Sequence, residues 1–570
     1  MKKRLILLTT FTLLLTGCDI PFISPSSEDE SMSNLPSGEI SSNESSGNDS
    51  SEKEEASEKP SDSSELPSAS SSSEEELPSS KYSKNDNGFV YPSNARYQVD
   101  EAYYEFWNPD TKINFEIKAD AQIWQWMDQY GHGDSVKTHD LYWPVNVKIT
   151  VNGKVHEFDE VGMRRKGNTS RGYSFMDGNR VSDAISFKLS FKEVFTNEEY
   201  KTIAPSVYKS WTKDDPAYVI RDERQFLPNE DGDGMKTLDF KMYKTGDRSM
   251  VNQPFIFSTF QKMGVITGNS TLASVDVYSG SNHSNMGVLT INEPINKHLL
   301  RRYFDKKASK GDLYKVGWGQ GNKGNLRIEE YNDNKTMIGV EDKSNYYQPR
   351  YDAKESDGTH KNLINLMQVL KDNENKSPAQ YISALQNVVD IDSFLMYAAV
   401  SYLTGNEDDM RNNGNNYYIY FNPSENNKAY FIPYDYDWAL GLGWDGNGGL
   451  AMADLSPFYA ELRGNGNNIQ DNRLWMYTII NNQDGMYKIQ TNTEWQNIYY
   501  NKIVSIINDG YYSKATFIDL YNRYRANYKN ETNALKKNNN EISNGFESTS
   551  IFDEYYKRIV TSVKNNKPTK

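Results

Sequence analysis

Cysteine is nearly missing from these 570 residues: Cys18 is the single one. One thiol near the N-terminus excludes disulfides, cysteine-ligated zinc and a catalytic thiol in the rest of the chain. Histidine is scarce as well, with six in all, and no two have the His-x-x-x-His spacing of a helical metal site. No run of Lys or Arg exceeds three residues. The chain has 63 basic and 78 acidic side chains, a formal charge of −15. Most of that deficit sits between Cys18 and Ser80, where 16 acidic residues face 2 lysines, so Lys81 to Lys570 carries only −4. A near-neutral domain without clustered cations argues against a phosphate-backbone binder, and no nucleic-acid partner is expected. What the sequence does have is aromatic residues, 13% with 40 tyrosines, enough for a substantial core beyond the acidic stretch.

The N-terminus reads as an address. Met1 to Arg4 is basic, Leu5 to Leu15 is apolar, and the run closes on Leu15-Thr16-Gly17-Cys18. So short an apolar run reads as a secretory signal and not as a permanent membrane span. Leu-Thr-Gly-Cys resembles a bacterial lipobox, which implies cleavage before Cys18 and lipid on its sulfur. The expected product is an extracytoplasmic protein, lipid-anchored to the cell membrane through Cys18. Residues 19–87 are Ser-, Glu- and Pro-rich with few aromatics, a composition that cannot offset the entropy of ordering. They are expected to be a disordered tether, with an r.m.s. reach on the order of 45 Å for about 70 flexible residues. Its acid-flanked serines read more readily as spacer than as phosphate acceptors.

No fixed-period repeat and no Pro/Gly/Ser-rich break divides residues 90–570. The pattern predicts strand at Ile113 to Ile117, helix at Ala119 to Tyr130, and a hairpin of Val145 to Val151 with Val155 to Phe158 around Asn152-Gly153. A polar, glycine-bearing turn, Arg164 to Ser170, leads to an alternating strand, Ala184 to Phe191, that carries Lys188. Strand, small-residue turn and lysine strand is a way to cover nucleotide phosphates with N–H groups and meet them with a cation. Helix at Asn252 to Met263, strands at Ala273 to Tyr278 and Gly287 to Ile291, and a helix from Ile295 to Phe304 follow. One or two helices over Pro378 to Leu403, a hairpin of Asn416 to Phe421 with Ala429 to Pro433, and helices from Trp495 to Val563 complete the order. β-rich first and helix-rich later predicts the α+β class.

The stretch richest in chemistry is Gly405 to Tyr420, followed by Ile432 to Gly441. An acidic pair, Asp408/Asp409, follows a helix; an Asn pair, Asn415/Asn416, enters a strand; Asp435 and Asp437 follow the partner strand. Hard cations take carboxylate and amide oxygens, so Asn and Asp from adjacent strands suit a metal-phosphate site, with the remaining Asp free to accept a hydroxyl proton. Arg164 to Ser170, Gly405 to Tyr420 and Pro433 to Gly441 together resemble the motifs of the spore-coat-protein-H (CotH) kinase family. Lys262-Met-Gly264, Gly287 to Glu293, Gly311 to Lys315 and Asp390-Ile-Asp392 agree with it, over roughly Val99 to Trp444.

That resemblance implies an atypical protein-kinase-like fold with a helical C-terminal part: a kinase-like domain over 88–494 and a helical region over 495–570. It implies ATP with Mg²⁺ (or Mn²⁺), an unidentified protein substrate, and phosphates lying under Arg164, Lys166, Gly167, Asn168 and Ser170. Lys188 would contact phosphate, and Glu293 would line the nucleotide pocket or favour a helix N-terminus. The catalytic base would be Asp408 or Asp409; the metal ligands would come from Asn415, Asn416, Asp435 and Asp437. Spacing separates neither the two bases nor the two metal aspartates. The family's arginine near Val251 to Gln253 has Arg248 as its nearest counterpart. The alternative is a surface binding or adhesion lipoprotein that keeps the scaffold without catalysis.

Three other leads fail on context. Gly319 to Gly324 fits G-x-G-x-x-G but precedes a strand-like Leu326 to Ile328 instead of a helix. Asn229 to Gly234 imitates a calcium loop, yet its twelfth position is Phe240. No G-x-S-x-G elbow supports a hydrolase triad.

Overall fold

A computed structural model of the chain describes residues 82–84, 90–92, 101–131, 141–167, 174–228, 234–242, 246–304, 306–317, 324–329, 349–443, 448–458, 474, 493–531 and 545–568. Cys18, Asn168, Ser170 and nearly all of the expected tether lie outside them. Tyr82–Lys84, inside the segment expected as tether, pairs antiparallel with Val90–Pro92.

Alternation of apolar and polar residues builds the first half. Strands β1 (Ile113–Ala119), β2 (Trp143–Val151), β3 (Lys154–Arg165), β4 (Phe187–Ser190), β5 (Thr237–Lys241), β6 (Ser270–Ser279) and β7 (Asn282–Asn292) close into a seven-stranded barrel of order β6-β7-β5-β4-β3-β2-β1. The β2–β3 turn is Asn152-Gly153, both at positive φ, as a tight hairpin turn demands. β1 lies parallel to β6 and completes the ring. Ile113, Phe115, Ile117, Val145, Val147, Ile149, Met163, Leu189, Leu238 and Phe240 are buried in one cluster, with Phe187 stacked on Phe240 at 4.4 Å. Each such side chain contributes about 1.5–3 kcal/mol on leaving water. Helices α1 (Glu101–Trp107) and α2 (Ala121–Gly131) add their aromatic residues to this cluster.

The second half is a four-stranded antiparallel sheet wrapped by helices. Strands β8 (Leu313–Val316), β9 (Tyr351–Glu355), β10 (Tyr417–Asn422) and β11 (Lys428–Pro433) run in the order β9-β8-β10-β11. Around them stand α3 (Asn252–Lys262), α4 (Lys297–Tyr303), α5 (Lys361–Asn373), α6 (Pro378–Leu385) and α7 (Ile391–Thr404). A four-residue turn of helix, α8 (Met410–Asn413), precedes β10. The C-terminal helices α9 (Thr493–Asp509), α10 (Lys514–Tyr528) and α11 (Ser550–Asn565) bury Tyr499, Ile503, Phe517, Tyr524, Phe552 and Tyr555 in the same cluster as α3 and α7. Tyr528 also donates to the carbonyl of Leu272 on β6 at 2.9 Å.

The α+β class expected from the sequence is what the chain forms. An atypical kinase-like fold was the finer expectation; the described residues form a closed barrel beside a four-stranded sheet. β4 is shorter than the predicted Ala184 to Phe191, whereas β3 runs seven residues past the predicted Phe158, taking Arg164 and Arg165 out of the expected turn, and β7 begins five residues before the predicted Gly287. β5, β8 and β9 were not anticipated as strands. No helix among the described residues is long and apolar enough to cross a membrane.

Candidate functional site

The outer face of the barrel carries a row of polar residues set by strand register. Arg164 on β3 faces Lys188 on β4, Lys188 faces Asp239 on β5, and Asp239 faces Asn292 on β7. Two residues along β5, on the same face, is Lys241. Opposite them the second sheet aligns Asp352, Lys315 and Tyr418 across β9, β8 and β10. The two faces meet around Tyr434, whose ring lies 5.3 Å from the Lys166 ammonium and 4.6 Å from that of Lys315.

Charge in this cleft is packed and partly paired. Lys166 forms an ion pair with the buried Asp239, and Lys188 lies 3.9 Å from the same carboxylate. Burial alone would raise the Asp239 carboxyl, but Lys166 and Lys188 overcome it and hold the group down to about 2. Burial pushes Lys188 down to about 8, helped by Arg164, Lys166 and Lys354 and opposed by Asp239. Burial also lowers Lys315. The Tyr434 phenol is drawn below its ordinary value against its own burial, by Lys166, Lys315 and Lys241.

Deeper in the cleft is the acidic loop. Helix α7, capped by Asp390 through the Ser393 amide, ends at Gly405, where φ of +61° lets the chain turn back. Asp409 caps α8 by accepting from the Asn412 amide at 2.9 Å, and Gly414 ends that turn in the left-handed region. Asp408 faces the other way. Its Oδ1 accepts from the amides of Asn413 at 2.6 Å and Asn415 at 3.0 Å, and its Oδ2 from Asn416 at 2.8 Å. Burial raises the Asp408 carboxyl, with the Asp437 charge in the same direction and the three amides against it. Asp409 is fully buried, and burial lifts it to about 6 despite Arg411.

Backbone bonds bind this loop to the next one. Glu407 donates to Trp438 at 3.1 Å, Leu440 to Thr404 at 2.8 Å and Tyr434 to Asn416 at 3.2 Å; the Asn406 side chain donates to the Asp435 carbonyl at 3.2 Å. Asp435 takes a positive φ of 58°, which short polar side chains tolerate. The Lys241 ammonium bridges Asp435 and Asp437, the second at 3.2 Å. Among the described residues no three His, Cys, Asp or Glu side chains converge as a metal-binding group. The donors present, carboxylates and amide oxygens, are the kind an oxygen-seeking divalent ion takes, although the Lys241 ammonium holds two of the carboxylates.

Of the residues singled out from the sequence, Lys166, Lys188, Asp408, Asn415, Asn416, Asp435 and Asp437 lie in or beside this cleft. Gly167 stands at its edge with φ of +99°, and Arg164 turns its guanidinium over the Tyr142 ring at 4.8 Å. Glu293 is engaged elsewhere: it is ion-paired to the buried Arg302, and accepts from Tyr103 at 2.8 Å and Asn269 at 3.0 Å. Arg248 contacts Glu547 at 3.7 Å on the surface. Asp239, Lys241, Lys315 and Tyr434 were missed. The first two were visible as the polar half of Leu238-Asp239-Phe240-Lys241, an alternation that predicts a strand with both charges on one face.

The sequence pattern of a family described as CotH kinase protein matches residues 222–568, more than half of the chain. The match begins after Arg164 to Ser170 and Lys188 and runs on through α9, α10 and α11, where the resemblance had been placed over Val99 to Trp444. No curated protein matches the chain.

Proposed function

We propose, from the premise that this chain belongs to the CotH kinase family, that the cleft binds ATP with a divalent metal and transfers the γ-phosphate to a serine or threonine hydroxyl of a protein. The observation that carries this reading is Asp408, a half-buried carboxylate held by three asparagine amides on a loop bonded to the segment of Asp435 and Asp437. Phosphoryl transfer depends on positioning and charge neutralisation more than on covalent chemistry. Asp408, raised by burial, is suited to orient a hydroxyl and accept its proton. Lys166, Lys188, Lys241 and Lys315 offer phosphate four ammonium groups. Asp435 and Asp437, with the amide oxygens of Asn415 and Asn416, would hold Mg²⁺ or Mn²⁺, which when bound neutralises phosphate charge. The order of parts is that of a protein kinase: lysine strand, helix, Asp loop, hairpin, metal Asp.

One observation favours a second reading, a kinase-shaped surface-binding or adhesion protein without catalysis. Lys241 already neutralises both carboxylates that a metal would use. Labelled ATP given to a soluble chain starting at Lys81, with the peptide 19–80 as one candidate acceptor, separates the two. Metal-dependent label transfer that disappears with Asp408→Ala supports the kinase; absence of both transfer and a thermal shift with millimolar Mg·ATP supports the binding protein.

The domain is carried, in this reading, outside the cytoplasm on the segment 19–87 from a lipid on Cys18. Cys18→Ser should move the protein from the membrane fraction to the soluble one; an unchanged distribution refutes the anchor.

A further inference from the structure

Behind Asp408, the groups of one buried cluster lack hydrogen-bond partners among the described residues. They are all three guanidinium nitrogens of Arg411, Oδ2 of Asp409, Oδ1 of Asn412, and the hydroxyls of Tyr499 on α9 and Tyr555 on α11. Arg411 is 1% exposed, and its guanidinium lies 5.4 Å from the ring of Tyr402 on α7. Tyr499 and Tyr555 both stand within the field of Arg411 and of Asp409. A buried cation without hydrogen bonds is among the costliest arrangements a fold can hold. The nearby Asp409 carboxylate balances its charge, so what the cluster needs is neutral groups that both donate and accept. Buried water is the ordinary answer.

Arg411 also occupies the middle of the turn that holds Asp408. On one side, Asp409 caps α8; on the other, the Asn412 side chain donates to the Asn406 carbonyl at 2.5 Å and the Asn413 side chain to Asp408 at 2.6 Å. We infer that Arg411 is a positioning residue: through buried water shared with Asp409, Asn412, Tyr499 and Tyr555, it fixes the 406–416 loop and thereby the Asp408 carboxylate. The C-terminal helices are then the back wall of the site and more than a cover for the core. This inference deepens the kinase reading and rests on it where turnover is concerned.

The test is Arg411→Met in the full-length protein, since replacing a buried ion by an apolar side chain of similar volume commonly preserves a fold. Arg411→Lys and the double variant Tyr499→Phe/Tyr555→Phe accompany it. Displacing a reacting group by about 1 Å costs on the order of 10²-fold in rate. Arg411→Met should therefore lower kcat by about tenfold to a hundredfold while KM for Mg·ATP stays within about twofold, because Arg411, 1% exposed, presents almost no surface to a ligand. Arg411→Lys should recover part of the loss, and the double Tyr variant should reproduce part of it. Hydrogen exchange should quicken in the peptide 406–416 of Arg411→Met and not in the barrel peptide 143–165. Wild-type kcat in folded Arg411→Met, a parallel rise in KM, or equal quickening in the barrel overturns the inference. If the wild type transfers no label, the kinase reading falls by itself, and exchange in 406–416 still decides whether Arg411 holds the loop.

Discussion

Replacing Asp239 by Asn should cost more stability than any other single isosteric change in the cleft. Asp239 is 5% exposed and serves two ammonium groups, Lys166 and Lys188. A carboxyl held at about 2, against an ordinary value near 3.8, corresponds to about 2.5 kcal/mol at neutral pH. Breaking a buried pair by removing one partner costs about 3–5 kcal/mol, because the remaining charge is left without compensation. Lys188, already lowered by burial, would lose the one carboxylate that raises it. We therefore expect a deficit of about 2.5–5 kcal/mol at pH 7, read from urea midpoints with an unchanged m-value. The sign with pH follows from the depressed carboxyl. Its stabilisation is complete above the unfolded value near 3.8 and is lost as pH falls toward the folded value of about 2. The gap between wild type and variant should thus be level from pH 7 to about 5 and narrow steadily below that. A deficit under about 1 kcal/mol at pH 7, or one unchanged down to pH 3, would refute the assignment of Asp239 as the counter-charge of the lysine row.

Gly405→Ala should destabilise by about 2–4 kcal/mol, since φ is +61° and an added Cβ would overlap the Tyr555 hydroxyl; a Tyr555→Phe background should relieve the closest overlap and recover part of the loss, leaving the ring carbon at 2.9 Å and a backbone cost of about 1–2 kcal/mol. Equal losses in both backgrounds, measured by denaturant unfolding, would contradict that packing. Asp408→Asn should keep the thermal midpoint near wild type and lower phosphate transfer by about 10²–10⁴-fold, the span of a lost general base. Lys241→Met should raise affinity for Mg²⁺ in the absence of nucleotide, because Asp435 and Asp437 lose their bridging cation. Calorimetry with Mg²⁺ alone showing no gain would mean that the two carboxylates do not serve as ligands.

Much of the architecture was legible because local rules agreed with the global fold. Asn152-Gly153 can hardly be anything but a tight hairpin turn, and its strands formed on either side. Pro378 after Ser377 and Asp390 before Ile391 are helix starts by their own chemistry, and both helices begin there. The cleft loop was legible as a composition, with acidic pair, Asn pair and second acidic pair in order. β5 was overlooked although Leu238 to Lys241 alternates, and it is the strand that brings Asp239 and Lys241 into the site. The partners of Glu293, Arg302, Tyr103 and Asn269, come from three separated segments, so no local pattern names them.

The residue types around Asp408 were fixed by the chain itself: oxygen donors on a turn between a helix and a hairpin, with no thiol or histidine pair to suggest other chemistry. Spacing alone left Asp408 and Asp409 equivalent. Tertiary structure separates them, because the four residues Met410 to Asn413 coil into one helical turn that consumes Asp409 as its cap and leaves Asp408 facing the three asparagines. Ring closure of the barrel likewise decides which lysine meets which carboxylate. Register across β3, β4 and β5 is a property of strands paired far apart in sequence, and no local pattern encodes it.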